Sequence, residues 1–225
     1  MVAIYLDGAD LETMARLEPL IDGVTTNPSL MKKAGITRYR DFAREVLAIT
    51  KKPVSFEVLS DHGDEAVRQA REIASWGSNV YVKMPVDMHG RLKELWSQGI
   101  KLNITAVMDP SQIRALAGGH VLSHRVPAIV SIFAGRIADT GRDPCGVIAS
   151  KDAFGKRVRT KIIQILWASC REVYNITQAE QCGADIITVS PAIFEKYHAL
   201  KGKDLLEYSD ETVAEFTNDA KGIEL

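Results

Sequence analysis

The chain has 225 residues, of which 46% are hydrophobic and 25% charged, and its formal net charge is −1. That length suits one large domain or two small ones, and the composition is that of an ordinary globular protein. A charge so close to zero gives no reason to expect nucleic acid or a membrane surface as partner.

Cys145, Cys170 and Cys182 are scattered and odd in number. They form no CxxC pair, so no disulfide framework is expected, and a reducing cytosol is favoured over secretion. "MVAIYLDGAD" reaches Asp7 too soon for a signal peptide, and no apolar run approaches the roughly 20 residues of a membrane span. The expected location is cytoplasmic.

Short runs rich in β-branched residues alternate with longer amphipathic stretches, the rhythm of βα units around a parallel sheet. "AIYLD" (3–7), "GVTT" (23–26) and "VSFEV" (54–58) are the first three predicted strands. "DHGDEAVRQAREIASWG" (61–77) then reads as a helix, with Ala66, Ala70 and Ile73 on one face, acids early and Gly77 as a stop. "VYVKM" (80–84) is the fourth strand; Val80 and Val82 share one face, Tyr81 and Lys83 the other, and Pro85 ends the run. A helix over 88–100 follows, then the strand "LNITAV" (102–107), a helix over 109–119 and the strand "AIVSIF" (128–133). "IIQILWAS" (162–169), a helix over 175–184 with Asn175 as N-cap, and "DIITV" (185–189) complete the series. Beyond it, "PAIFEKYHALKG" and "SDETVAEFTNDA" read as further helices, the last starting at Ser209.

Eight strands at this spacing predict an α/β fold, a (β/α)8 TIM barrel. One domain over 1–225 is expected, with a C-terminal helical extension over about 191–225. The competitor is an open doubly wound sheet, but no Gly-x-Gly-x-x-Gly follows any predicted strand.

A barrel carries its active site at the C-terminal ends of its strands. Polar residues recur there: Asp7, Thr25, Thr26, Asn27, Glu57, Lys83, Asn103, Thr105, Ser131, Ser169 and Arg171. Alternation puts Asn103 with Thr105, Ser131 with Phe133, and Trp167 with Ser169. Singly, each has an ordinary explanation. An Asp or Asn after a strand commonly caps a helix, a lysine there snorkels to solvent, and rim arginines form loop ion pairs. Together they place a carboxylate, an amine, amides and hydroxyls at one end of a barrel. A desolvated lysine can act as an amine nucleophile toward a carbonyl. Glu57, one strand away, can move protons through a water held by Thr105, and Asp7 is the second strand-end carboxylate. Arg136 and Arg171, after the sixth and seventh strands, suit a phosphate.

These residues resemble the transaldolase family, in its small-subunit branch shared with fructose 6-phosphate aldolase. "GVTTNPSLMKKAG" is similar to the family's second-strand motif and "VYVKMP" to its Schiff-base lysine motif. "LNITAV", "SIFAGRIAD" and "WASCR" are similar to its fifth, sixth and seventh strand ends. The resemblance implies Lys83 as the Schiff-base lysine, Asp7 as acid/base at carbon–carbon cleavage, and Glu57 with Thr105 around the catalytic water. It assigns donor binding to Asn27, Asn103 and Ser131, beside Thr26 and Phe133, and the phosphate to Arg136, Ser169 and Arg171. In fructose 6-phosphate aldolases the Glu57 position is typically Gln and the Phe133 position Tyr; here both, like Asn103, resemble transaldolase.

The resemblance therefore implies transfer of a dihydroxyacetone unit from a ketose phosphate, such as fructose 6-phosphate or sedoheptulose 7-phosphate, to an aldose phosphate. It implies no cofactor and no metal, sugar-phosphate substrates, and a homo-oligomer of five or ten chains. Pentose phosphate metabolism and a dedicated sugar-biosynthesis route both fit. The alternatives are an aldolase that releases dihydroxyacetone, or a barrel that binds a sugar phosphate without turnover. Three stretches depart from the family: "DGA" stands for the common Asp-Thr-Ala, and 135–147 and 171–175 are unusual beside the expected phosphate site. His120 and His124, four apart, form a weak metal pattern with no third ligand, and Cys170 reads as a small packing residue.

Overall fold

The structure, a computed structural model, describes residues 1–118 and 126–223. His120 and His124 lie outside the described residues. The sheet opens with β1 (Ala3–Asp7), followed by α1 (Leu11–Leu17), β2 (Gly23–Thr25), α2 (Pro28–Lys33), α3 (Tyr39–Ile49) and β3 (Val54–Glu57). Next come α4 (Gly63–Ala74), β4 (Val80–Pro85), α5 (His89–Ser97), β5 (Leu102–Val107) and α6 (Pro110–Gly118). After β6 (Ala128–Ile132) the chain forms α7 (Ala134–Ala138), α8 (Cys145–Ala149), a 3-10 turn (Ser150–Phe154) and α9 (Lys156–Arg159). The series closes with β7 (Ile163–Trp167), α10 (Tyr174–Gln181), β8 (Ile186–Val189), α11 (Pro191–Leu200) and α12 (Leu205–Asp219).

The strands form a closed barrel in sequence order, all parallel, with β8 returning to pair with β1. The expected (β/α)8 barrel is what the chain adopts. Two apolar layers follow from strand alternation. Outward side chains such as Val80, Val82 and Met84 pack against the helices. Inside the barrel, Tyr5, Tyr81, Ile129, Leu166 and Ile186 form a second cluster. Gly23 makes that interior possible. It sits opposite Tyr5, and a Cβ there would lie 2.6 Å from the Tyr5 ring, so the bare backbone leaves the ring its space.

Three local expectations change. The last helix begins at Leu205 rather than Ser209, because Asp204 Oδ1 captures the amides of Leu206 and Glu207 at 2.9 and 3.0 Å. Asn175 lies inside α10 and turns back, accepting from the amides of Arg171 and Glu172 at 2.8 and 3.2 Å. Trp167 faces outward, whereas Ser169 reaches the barrel mouth, because Ser169 has a left-handed φ of 65° that breaks the alternation.

The expectation of unpaired cysteines is corrected for two of the three. Cys145 and Cys182 form a disulfide with a Cα–Cα distance of 5.2 Å. The unusual segment after β6 folds as α8 and brings Cys145 to the end of α10, a juxtaposition that spacing alone does not reveal. Cys170 stays free and packs against the core; burial pushes its thiol up to about 11.

Candidate active site

β3 and β4 pair in parallel with Glu57 opposite Lys83, so both side chains leave adjacent strands at the same height. Lys83 Nζ lies 3.1 Å from Glu57 Oε2 and 3.4 Å from the Thr26 carbonyl. The lysine side chain is 8% exposed and the glutamate 19%, so this ion pair is largely shielded from water. Lys83 does not snorkel outward.

Asp7, at the end of β1, faces the same cavity. Burial holds its carboxyl above the usual carboxylate range; the Lys83 charge and a hydrogen bond from Thr25 pull the other way, and Glu57 adds to the rise. Thr25 Oγ1 donates to Asp7 Oδ1 at 2.8 Å.

β5 contributes Asn103 and Thr105, with a bulge between Ile104 and Val107 where Ala106 takes a φ of 63°. Such bulges re-aim side chains beside active sites. Thr105 Oγ1 is buried and has no hydrogen-bond partner among the described residues. Its position opposite Pro85, two residues beyond Lys83, sets it near the strand ends, but it is not among the residues that line the cavity. Asn103 is fully buried; its Nδ2 donates to Ser55 Oγ at 3.0 Å and its Oδ1 accepts from Ser131 Oγ at 2.6 Å. Of this triple, Ser131 reaches the cavity wall.

Asn27 lines the cavity while capping α2, its Oδ1 accepting from the Leu30 amide at 2.9 Å. Thr26 points away, donating to the Ser55 carbonyl at 3.2 Å; its contribution is the backbone oxygen that faces Lys83. Phe133, Arg136 and Ser169 form the rim between β6 and β7, with the Arg136 guanidinium 5.7 Å from the Phe133 ring centre. Gly135 locks this rim. A Cβ on it would sit 1.7 Å from the Ser169 carbonyl oxygen, so only glycine lets α7 touch the turn at Ser169. Arg171 does not line the cavity. It grips Asp139 with both ends of its fork, at 3.1 and 2.5 Å. The cavity measures about 440 Å³, a size that fits a small metabolite.

Sequence reasoning missed four supporting groups. Ser55 and Thr188 sit at period-two positions on β3 and β8, a signal that was present. Tyr39, which donates to the Glu57 carbonyl at 3.0 Å, and Asp139 come from distant helices and loops and carry no such signal.

The family model described as "Transaldolase/Fructose-6-phosphate aldolase" matches residues 4–224. The chain belongs to the transaldolase/fructose-6-phosphate aldolase family. It is 36% identical over 200 residues to a probable transaldolase of Nitrosopumilus maritimus, covering 86% of each chain. A probable transaldolase of Herpetosiphon aurantiacus is 35% identical over 211 residues, covering 90% of each. One of Dehalococcoides mccartyi is 33% identical over 228 residues, covering 98% of this chain and 99% of the relative. Among solved structures, the orotidine 5'-monophosphate decarboxylase of Metallosphaera sedula superposes with a TM-score of 0.58 at 13% identity, covering 95% of this chain and 97% of the other. The 2-keto 3-deoxygluconate aldolase of Picrophilus torridus does so with a TM-score of 0.53 at 16% identity, covering 100% and 89%. At those identities the two structures share the fold alone. Family membership makes this chain an enzyme of the transaldolase type. Among the described residues no group of three or more His, Cys, Asp or Glu could hold a metal.

Proposed function

We propose that the chain is a class I transaldolase that moves a dihydroxyacetone unit between sugar phosphates through a Schiff base on Lys83. The observation that carries this reading is the shielded Lys83–Glu57 pair facing the same cavity as Asp7. Glu57, 3.1 Å away, accepts the ammonium proton and frees the amine. The amine attacks C2 of a ketose 6-phosphate, and the carbinolamine loses water to give the iminium. Asp7 takes the C4 hydroxyl proton, the C3–C4 bond breaks, and its electrons form the enamine while an aldose phosphate leaves. The enamine then attacks the carbonyl of a second aldose, and hydrolysis returns Lys83.

In this reading Thr105 holds the hydrolytic water, Asn27 and Ser131 bind donor hydroxyls, and Asn103 steadies Ser131. Arg136 and Ser169 meet the phosphate, with Arg171 joining once it leaves Asp139. Phe133 presents no hydroxyl to protonate the enamine, which favours transfer over release of dihydroxyacetone. Borohydride reduction with fructose 6-phosphate tests the chemistry: a three-carbon adduct is expected on Lys83, and its absence sinks the proposal. Incubation without an acceptor tests the outcome, since sustained release of dihydroxyacetone identifies an aldolase instead.

The same reading takes 1–225 as one barrel domain with its helical extension, needing no cofactor and working as a homo-oligomer in the cytoplasm, a location for which the Cys145–Cys182 disulfide removes the support that unpaired cysteines gave. Among the described residues no helix is long and apolar enough to cross a membrane. Leu206, Val213 and Phe216 stand exposed on α12, which buries none of its residues within this chain, and this supports assembly. Light scattering of the purified protein distinguishes a ring of five or ten from a monomer.

A further inference from the structure

Each threonine hydroxyl carries one proton and can also accept. An ionised carboxylate only accepts. Thr25 therefore spends its proton on Asp7 Oδ1, 2.8 Å away, and its oxygen is left as an acceptor. Thr188 Oγ1 lies 2.6 Å from that oxygen. With the Thr25 proton committed, Thr188 must be the donor. The order of protons runs from Thr188 to Thr25 to Asp7.

The barrel sets this order. β8, β1 and β2 are neighbours, with Thr188 level with Tyr5 and Asp7 level with Thr25. Both threonines are buried, at 4% and 2% exposure, and both stand in the cavity wall beside Asp7. Among the described residues, the other acceptor for Thr188 is the Tyr5 carbonyl at 3.4 Å, a longer and weaker contact.

We propose that Thr188 is a positioning residue for Asp7: its hydroxyl donates to Thr25 and so commits the Thr25 proton to the Asp7 carboxylate. A hydrogen-bond chain ending on a charge is strengthened by each link behind it. The Tyr5 carbonyl adds a second state. When Asp7 is protonated, its hydroxyl donates to Thr25, Thr25 to Thr188, and Thr188 to Tyr5. No proton changes residue along the threonines; each hydroxyl only rotates about its C–O bond. The chain thus follows Asp7 through both protonation states, as a group that takes and returns a proton requires.

The proposal rests on the assignment of Asp7 as the acid/base at cleavage. The charged groups that face Asp7 across the barrel are Lys83 from β4 and Glu57 from β3, with Arg136 at the rim. None of them is altered by a change at Thr188. Thr188→Val keeps the shape and removes the donor, whereas Thr188→Ser keeps the donor. The readouts are the pH profile of three-carbon transfer and a carbon-13 NMR titration of the Asp7 carboxyl. In Thr188→Val both the acidic limb of kcat and the Asp7 titration move to higher pH, because the carboxylate loses support. Turnover on that limb falls about threefold to tenfold, KM stays within about twofold, and Thr188→Ser restores the profile.

An Asp7 titration that is unmoved in Thr188→Val overturns the proposal, as does an equal displacement in the Val and Ser variants. Should Thr188→Val not fold, Thr188→Ala takes its place in the same comparison. If the wild-type protein traps no adduct under borohydride, the Schiff-base reading fails by itself. The NMR titration still decides the part played by Thr188.

Discussion

Lys83 and Glu57 stand opposite each other on β4 and β3 with Nζ and Oε2 3.1 Å apart in a largely shielded site. Removing one partner of such a pair leaves the other charge buried and alone, which costs about 3–5 kcal/mol. Lys83→Met should therefore abolish the borohydride adduct and also lower Tm. Glu57→Gln should keep the adduct while slowing its formation about 10²- to 10⁴-fold, as loss of a general acid/base does. Mass spectrometry of the trapped protein and a thermal melt check both outcomes. Rapid adduct formation in Glu57→Gln would remove Glu57 from the proton transfer.

Asp7 gives a prediction of opposite sign for stability and activity. Its carboxyl is held above the usual carboxylate range by burial, so the folded protein binds this proton more tightly than the unfolded chain does. Stability from that proton is full below the ordinary aspartate pKa and is lost as pH rises through the elevated folded value. Asp7→Asn should thus be more stable than the wild type at neutral pH, with the advantage vanishing in acid. Cleavage should fall about 10²- to 10⁴-fold. Urea unfolding at pH 7 and pH 3, beside a transfer assay, measures the two trends.

Gly135 meets the Ser169 carbonyl with no room for a side chain. Gly135→Ala should destabilise the protein by about 1–3 kcal/mol through overpacking. It should also raise KM for phosphorylated donors more than for dihydroxyacetone-derived donors without phosphate, because it moves the rim that carries Arg136 and Ser169. Equal effects on both donor types would separate this rim from phosphate binding.

The Cys145–Cys182 disulfide closes a loop with a sequence separation of 37. A cross-link of that span typically contributes about 2–4 kcal/mol. Reduction, or Cys182→Ala, should lower Tm by about 2–4 °C for each kcal/mol lost in a chain of this size. The Cys182→Ala variant should then melt identically with and without reductant. An unchanged melting point in the reduced wild type would show that the bond adds nothing to stability.

Much of this architecture was legible in the amino-acid order, and the reasons are physical. β-branched runs and period-two alternation located the strands, and alternation put Tyr81 and Lys83 on one face and Val80 and Val82 on the other; the closed barrel makes the first face its interior. The grouping of Asp7, Glu57 and Lys83 followed from strand ends in a barrel. Other features depend on backbone geometry or on distant partners. The left-handed turns at Ser169 and Ala106 occur at residues that do not favour them, so no residue type announced them. Asp139 draws Arg171 out of the cavity lining from 32 residues away. The start of α12 turned on whether Asp204 or Ser209 reached the free amides, and two leucines after Asp204 hid the earlier cap.

Tyr5, Tyr81, Ile129, Leu166 and Ile186 form a buried apolar cluster inside the barrel. The cavity beside Lys83 therefore opens at the C-terminal ends of the strands. In the proposed reaction, both aldoses would meet Lys83 from that end, while the three-carbon fragment waits on the lysine above the apolar layer. The floor of the barrel thus gives the waiting fragment an apolar base and leaves solvent and sugars to approach from the mouth.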